Sequence, residues 1–411
     1  MKKIIVSAAV AALALTTTAS ALEDIKVNGQ AKLWYETNNG GTNDMFNKKA
    51  SSGEFAMKLG VTGKQGNVGF GASIYQTSTM GLEGLLVNST RSETAHSATY
   101  GQDADMYVGE AYFTAPIAGA TLKMGMQELD TPLLYSERWN VTPITYNAAV
   151  GIIPATENLT VVAAYVGQSS NGGTRVSDYA GFVDGSNPTP TATNGWASSG
   201  TPANQINDHG AFALAGLYKT DALAVNAWYY SLPTMAMALW VDASIKAGPA
   251  NIKAYLGHMM EDEDLDANDD DSTTAVALSA GMAVSGINLF GAFSTVTEDG
   301  ALAVANVGTG FKKTKLPTAA VYLDGLAVAQ PGATSIKLKA AGKVAGTGLA
   351  AQLVSCSNDS GVLGGGDSAM ELDVIATAKL GDFNIKGILM HRDFDTKDAQ
   401  QHIRLITSIN F

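Results

Sequence analysis

Beyond residue 22 the chain holds no apolar run long enough to cross a bilayer as a helix; its hydrophobic residues instead alternate with polar ones in short segments separated by Gly, Asn, Asp and Ser. Alternation at period two is the signature of a half-buried strand. In 54–62, Phe55, Met57, Leu59 and Val61 share one face, while Glu54, Lys58 and Thr62 share the other. After the Lys64-Gln65-Gly66-Asn67 turn, Val68, Phe70, Ala72 and Ile74 alternate with Gly69, Gly71, Ser73 and Tyr75, so the two runs read as a hairpin.

The same pattern predicts strands over 24–37, 52–64, 67–77, 105–116, 120–127, 145–154, 158–168, 209–219 and 222–231 in the first half. In the second half it predicts 236–247, 250–260, 272–285, 287–297, 335–343, 347–355, 368–380, 382–391 and 401–411. The count is about 18, an even number within the range of bacterial outer-membrane barrels. The connections alternate in length: 117–119, 248–249, 285–286 and 381–382 are short, whereas 78–104, 169–208 and 298–334 are long. Tight turns on one rim and long loops on the other suit a transmembrane barrel, which alone satisfies every backbone group in lipid without helices. The expected fold is therefore all-β, a transmembrane antiparallel up-and-down β-barrel over 22–411. A sandwich with one solvated face predicts the same alternation but not the loop asymmetry.

Both ends of the chain carry further signals. Lys2 and Lys3, an apolar run over 4–15 and Ala19-Ser20-Ala21 read as a secretory signal peptide, 1–21, cleaved after Ala21. Its apolar core is too short for a membrane anchor, and no Cys follows the cleavage site to accept a lipid. At the other end Ile403, Leu405, Ile409 and Phe411 share a face, with Thr407 among them, opposite His402, Arg404, Ser408 and Asn410. A strand alternating up to a terminal aromatic resembles the signal that outer-membrane proteins present to the barrel assembly machinery. Phe411 is accordingly the expected assembly signal, although this stretch alone also fits the last strand of a sandwich.

Composition narrows the classes. One Cys in 411 residues rules out a disulfide scaffold and a Cys-cluster zinc site. A net charge of −12, or −14 once Lys2 and Lys3 are removed, disfavours nucleic acid as a partner. Gly364-Gly365-Gly366 has no following helix to cradle a phosphate, five His residues show no metal-ligand spacing, and no Ser is singled out near a His. No cofactor and no enzymatic activity are expected.

The segment Lys123-Met124-Gly125-Met126-Gln127-Glu128-Leu129-Asp130-Thr131-Pro132-Leu133, then Asn140-Val141-Thr142-Pro143-Ile144-Thr145-Tyr146 and the strand over 158–166, resembles the "G-R-Q-x-L-D-T-P … P-x-x-[FY]" region of OprD-type porins and of the major outer-membrane porins of epsilonproteobacteria. That resemblance implies a barrel of 18 strands in a Gram-negative outer membrane, passing small hydrophilic solutes, with this segment as a third extracellular loop folded into the pore. Met126 stands where the motif carries Arg. Only Arg91, Arg138, Arg175, Arg392 and Arg404 occur, so the arginine ladder of the basic-amino-acid channels is absent and their substrate does not carry over.

Strand counting reaches the same loop independently. With the N-terminus periplasmic, loops after odd strands are extracellular, and the third runs over 128–147. Glu128, Asp130, Glu137 and Arg138 supply its charge, and Tyr135, Trp139 and Tyr146 its bulk. Glu128, Asp130, Tyr135, Glu137 and Arg138 are the candidate constriction residues, since charges at a narrow point act on ions at close range. Asp130 and Thr131 alternatively cap a turn before Pro132.

Lys26, Lys32, Lys58, Lys123, Lys253, Lys337, Lys339, Lys386 and Arg404, with Glu371 and Asp373, lie opposite the apolar face of their strands. A lysine facing lipid at the midplane costs roughly 2 to 4 kcal/mol, so these residues are expected to line water as the pore wall. Basic wall against acidic loop predicts a transverse field and a modest cation preference.

Glu261, Asp262, Glu263, Asp264, Asp266, Asp269, Asp270 and Asp271 crowd one extracellular loop. A solvated acidic loop is one reading; the sharper one is a divalent cation, Ca²⁺, at Asp262, Asp264, Asp266 and Asp269, bridging to lipopolysaccharide or a neighbouring subunit. The Gly and closing Glu of an EF-hand are missing. Expected partners are outer-membrane lipid and lipopolysaccharide, the assembly machinery, and small hydrophilic solutes and ions; a homotrimer and a monomer both remain open. The competing functions are a substrate-specific channel, a structural or adhesin barrel, and a barrel enzyme.

Overall fold

A computed structural model describes residues 22–40, 43–78, 80, 82, 85–87, 105–169, 210–233, 236–261, 272–358 and 367–411. The signal-peptide assignment, 1–21, lies outside them, as do Asp262, Asp264, Asp266 and Asp269 with the rest of 262–271. The strands are β1 (Glu23–Asn38), β2 (Ser51–Gln65), β3 (Val68–Ser78), β4 (Asp105–Ile117), β5 (Ala120–Gln127), β6 (Tyr146–Pro154), β7 (Leu159–Ser169), β8 (Ala211–Lys219) and β9 (Leu223–Leu232). They continue as β10 (Ala236–Ala247), β11 (Ala250–Glu261), β12 (Ser272–Val284), β13 (Ile287–Val296), β14 (Thr334–Val344), β15 (Thr347–Ser357), β16 (Ser368–Leu380), β17 (Phe383–Phe394) and β18 (Gln400–Asn410).

Each strand pairs antiparallel with its neighbours in sequence, and β1 pairs with β18, so the 18-stranded sheet is closed. A closed sheet has no edge of unpaired N–H and C=O groups. Every predicted segment coincides with one strand. The ends differ where backbone pairing outlasts hydrophobic alternation: β17 runs past 391 because Arg392 pairs with Glu371 in β16 and with Gln400 in β18. On the short-turn rim, Ala118-Gly119, Ser285-Gly286 and Ala345-Gly346 have positive φ at both residues, the two-residue hairpin turn that matches strand twist.

The two faces of the wall separate as the alternation predicts. Leu214, Leu278, Leu338 and Leu389 point outward, each more than half exposed, while Ala213, Ser279, Lys337 and Met390 beside them are buried inside. An outer apolar face of this kind is what lipid solvates.

Closure depends on the seam. Gly29 N donates to Phe411 O at 2.7 Å and Phe411 N to Gly29 O at 3.0 Å. The Phe411 ring covers Gly29 so closely that a Cβ there would lie 2.2 Å from ring carbon Cε2. An aromatic ring over a strand glycine shields backbone that has no side chain of its own.

The lumen is partly filled. The β5–β6 loop, residues 128–145, folds inward as expected for the third loop, and so does the β13–β14 loop, residues 297–333. The two rise from nearly opposite walls, eight strands apart in a ring of 18. Leu133, Leu134 and Ile144 of the first pack with Val304, Val307, Leu316, Leu323 and Val328 of the second, against the inward alanines of β8, β10 and β12 such as Ala213, Ala238 and Ala275. Each fully buried Val or Leu there contributes about 1.5–3 kcal/mol. Alanine on the wall leaves the room that the loops occupy.

Replacing Gly29 with Val is expected to reduce the heat-modifiable folded fraction after refolding into detergent, and adding Phe411→Ala to restore part of it. Equal yields for Gly29→Val and the parent chain would show that the ring does not seat on this glycine.

Candidate functional site

The third loop begins at the end of β5, where Gly125 holds φ at 123° with the backbone of β4 too close for any side chain. Thr131 closes a tight turn around Pro132: its hydroxyl donates to Leu134 O at 2.7 Å and accepts from Leu134 N at 3.2 Å. The Asp130 carboxylate takes no part in that turn. It lies 2.5 Å from Lys315 Nζ and 3.8 Å from Arg138 Nη1. Turn-forming and charge-bearing roles thus fall on different residues, Thr131 and Asp130.

The loop's charges are compensated locally. Arg138 Nε donates to Glu128 Oε2 at 2.5 Å, and Lys58 on β2 lies 3.8 Å from Glu128 and 3.0 Å from Glu110 on β4. That hydrogen bond with Glu128 holds the Arg138 guanidinium above its usual range. Glu137, 4% exposed, faces Asn306 Nδ2 at 3.4 Å rather than the lumen. Tyr135 is buried too, which pushes its phenol well above its ordinary value, and its carbonyl accepts from Tyr146 and Asn306, both at 2.9 Å. Of the five candidate constriction residues, Glu128, Asp130 and Arg138 form one ionic network, whereas Tyr135 and Glu137 fasten the third loop to the β13–β14 loop, the seventh on the same rim.

The β13–β14 loop supplies the other half. Val307 N donates to Leu133 O at 2.9 Å, tying the loops backbone to backbone. Lys313 Nζ sits 3.0 Å from Asp324 and 4.9 Å from the centre of the Trp139 ring, which lies 6.0 Å from Trp34 of β1. Burial raises the Asp324 carboxyl above the usual carboxylate value against the pull of Lys313, and Oδ1 caps the one-turn helix Gly325–Val328 by accepting from Gly325 N.

The predicted wall residues divide into groups. Lys26 keeps inward register but sits at the exposed end of β1. Lys32 donates to Asn140 O at 2.7 Å, Lys337 donates to Ala319 O, and Glu371 accepts from the backbone of Val321, Tyr322 and Leu323, so these hold the loops. Lys253 pairs with Asp242 at 2.8 Å, Arg404 with Glu36 at 2.5 Å, and Asp373 accepts from Gln352 at 2.6 Å. Lys123 lies 3.7 Å from the centre of the Tyr112 ring. Among the described residues Lys123, Lys339 and Lys386 have no ion-pair partner.

Sequence reasoning missed Glu36, Glu110, Asp242, Arg392 and His402, although they continue the polar face of predicted strands. It also missed Lys313, Lys315 and Tyr322. Their signal was the loop itself, since Leu302, Val304, Val307, Phe311 and Leu316 are too apolar for a solvated connection. Among the described residues no three His, Cys, Asp or Glu side chains are grouped to hold a metal.

No family model and no curated protein sequence matches the chain. Solved structures do. OccK8 (OprE) of Pseudomonas aeruginosa superposes with a TM-score of 0.72 at 14% identity, covering 94% of this chain and 98% of that one. OpdK of Pseudomonas aeruginosa with vanillate gives 0.71 at 14%, covering 95% and 100%, and OccAB4 of Acinetobacter baumannii 0.72 at 12%, covering 96% and 100%. The chain has the OprD-type porin fold.

Arg404 and Glu36 are 5% and 10% exposed at the side chain, and breaking a buried pair from one side costs roughly 3–5 kcal/mol because a charge is stranded. Arg404→Met is expected to lower the thermal unfolding midpoint of the refolded barrel, and Glu36→Gln in the same chain to recover most of the loss. A double variant as unstable as the single one would show that the pair's charge is not what the site depends on.

Proposed function

We propose that this chain is an outer-membrane porin, a passive water-filled channel for ions and small hydrophilic solutes. The observation that carries the reading is a closed barrel, apolar outside, whose charged lumen is narrowed from opposite walls by two loops fastened to each other. Two mutually packed loops cost conformational freedom that a merely structural barrel has no need to give up. Lipid surrounds the apolar belt, lipopolysaccharide meets the long-loop rim, and Phe411 at the seam serves the assembly machinery. No step of the reading requires catalysis.

The selectivity expected from loop sequence is revised. Asp130 and Glu128 are neutralised by Lys315, Arg138 and Lys58, and Glu137 is turned into the loop–loop contact. Among the described wall residues, Lys339 and Lys386 make neither an ion pair nor a hydrogen bond, Lys123 meets only the Tyr112 ring, and all three are basic. We therefore read the channel as mildly favouring anions and solutes that carry a carboxylate, as a substrate-specific channel does. The occurrence of vanillate with OpdK supports this.

In planar bilayers under a salt gradient, Lys339→Gln with Lys386→Gln is expected to move the zero-current potential towards cations. The shift should fade at 1 M salt, where screening shortens to about 3 Å. Asp130→Asn with Glu137→Gln should move it less. A cation-selective parent that loses selectivity on the Asp130 and Glu137 changes would restore the original expectation, and absence of any conductance would favour a structural or adhesin barrel.

A further inference from the structure

One wall carboxylate is placed in a way that neither the barrel nor the ion balance explains. Glu371 on β16 is fully buried, and Asp373, two residues on, shares its face. Like charges side by side in a buried wall are unfavourable unless something specific compensates them. Compensation comes from the tip of the seventh loop. Val321 N donates to Glu371 Oε1 at 2.9 Å, Tyr322 N to both oxygens at 2.9 and 3.1 Å, and Leu323 N to Oε2 at 2.6 Å. Three successive backbone N–H groups converging on one point form an anion-binding nest, and here the anion is the wall's own side chain.

We propose that the Glu371 carboxylate is the latch that positions the seventh loop across the lumen, and that its negative charge, rather than its shape, does the holding. Charge-assisted hydrogen bonds are roughly twice as strong as neutral ones. A glutamine has nearly the same size, but turns an NH₂ donor towards N–H donors and leaves at least one unpaired. Around the latch, Lys337 donates to Ala319 O, and the Tyr322 ring lies 4.4 Å from the Arg392 guanidinium and 4.5 Å from the His402 ring. The Tyr322 hydroxyl donates to Glu36, which Arg404 also holds. Lys337 on β14, Arg392 on β17 and Arg404 on β18 thus meet the same loop tip that Glu371 holds. Because Val307, Asn306 and Lys315 tie this loop to the third, freeing its tip loosens both sides of the constriction. The proposal rests on the channel reading for its effect on ion flow, but not for its structural part.

The test uses the full chain with Cys356→Ser and Leu323→Cys, so that a water-soluble thiol reagent reports exposure of the loop tip. Glu371→Gln is expected to accelerate labelling by about tenfold or more, the loss of one hydrogen bond to a charged group, while heat-modifiable folding stays intact. Single-channel conductance and open-channel noise should both rise. Glu371→Asp, which keeps the charge on a shorter arm, should label at an intermediate rate, and it carries the test if the glutamine variant does not fold. Labelling of Glu371→Gln, or failing that of Glu371→Asp, at the parent rate would overturn the latch. Faster labelling with unchanged conductance would overturn its role in narrowing the pore, and faster labelling with no conductance in any variant would uphold the latch while removing the channel reading.

Discussion

Nine residue pairs between β1 and β18, from Gln30 with Asn410 to Asn38 with His402, turn a long meander into a ring, and most other features follow from that closure. Once the ring is shut, each strand's backbone is satisfied by its two neighbours. Side-chain alternation then has one meaning around the whole circumference, outward to lipid and inward to the lumen. A one-residue slip at the seam would exchange those faces on one strand. The seam is guarded at its end by the Phe411 ring over Gly29.

Inside the ring the problem is different: two loops totalling more than fifty residues must be held in a space whose wall is polar. The protein meets it with two kinds of surface. On β8, β10 and β12 inward alanines take the apolar side of the loops, while Lys337 on β14 donates to loop backbone, Glu371 on β16 accepts from it and Glu36 on β1 accepts from the Tyr322 hydroxyl. Charges used in this way are spent on positioning. Among the described wall residues, neither a loop nor an opposite charge engages Lys123, Lys339 and Lys386.

The fold was legible because alternation is a local property and closure needs nothing beyond it. All strands were visible, and so was the third loop, since Gln127 to Leu133 carries a distinctive run. What could not be read was which inward charges meet. Glu36 and Arg404 are separated by most of the chain and come together only because the ring closes, and Asp130 meets Lys315 only because a second loop enters the lumen. The acids of the third loop thus meet Lys58 and Lys315, cations that the loop's own sequence does not contain. The β13–β14 loop carries its own signal, because a connection containing Val304, Val307, Phe311 and Leu323 does not remain in water.

An otherwise wide barrel is narrowed by two loops acting as one body. Single-channel conductance of the full chain, compared with a chain in which residues 300–330 are replaced by a short Gly-Ser turn, tests it most directly. The expected result is a folded barrel whose conductance rises several-fold and whose selectivity falls towards that of bulk salt. A loop-deleted barrel that folds and conducts no more than its parent would contradict it.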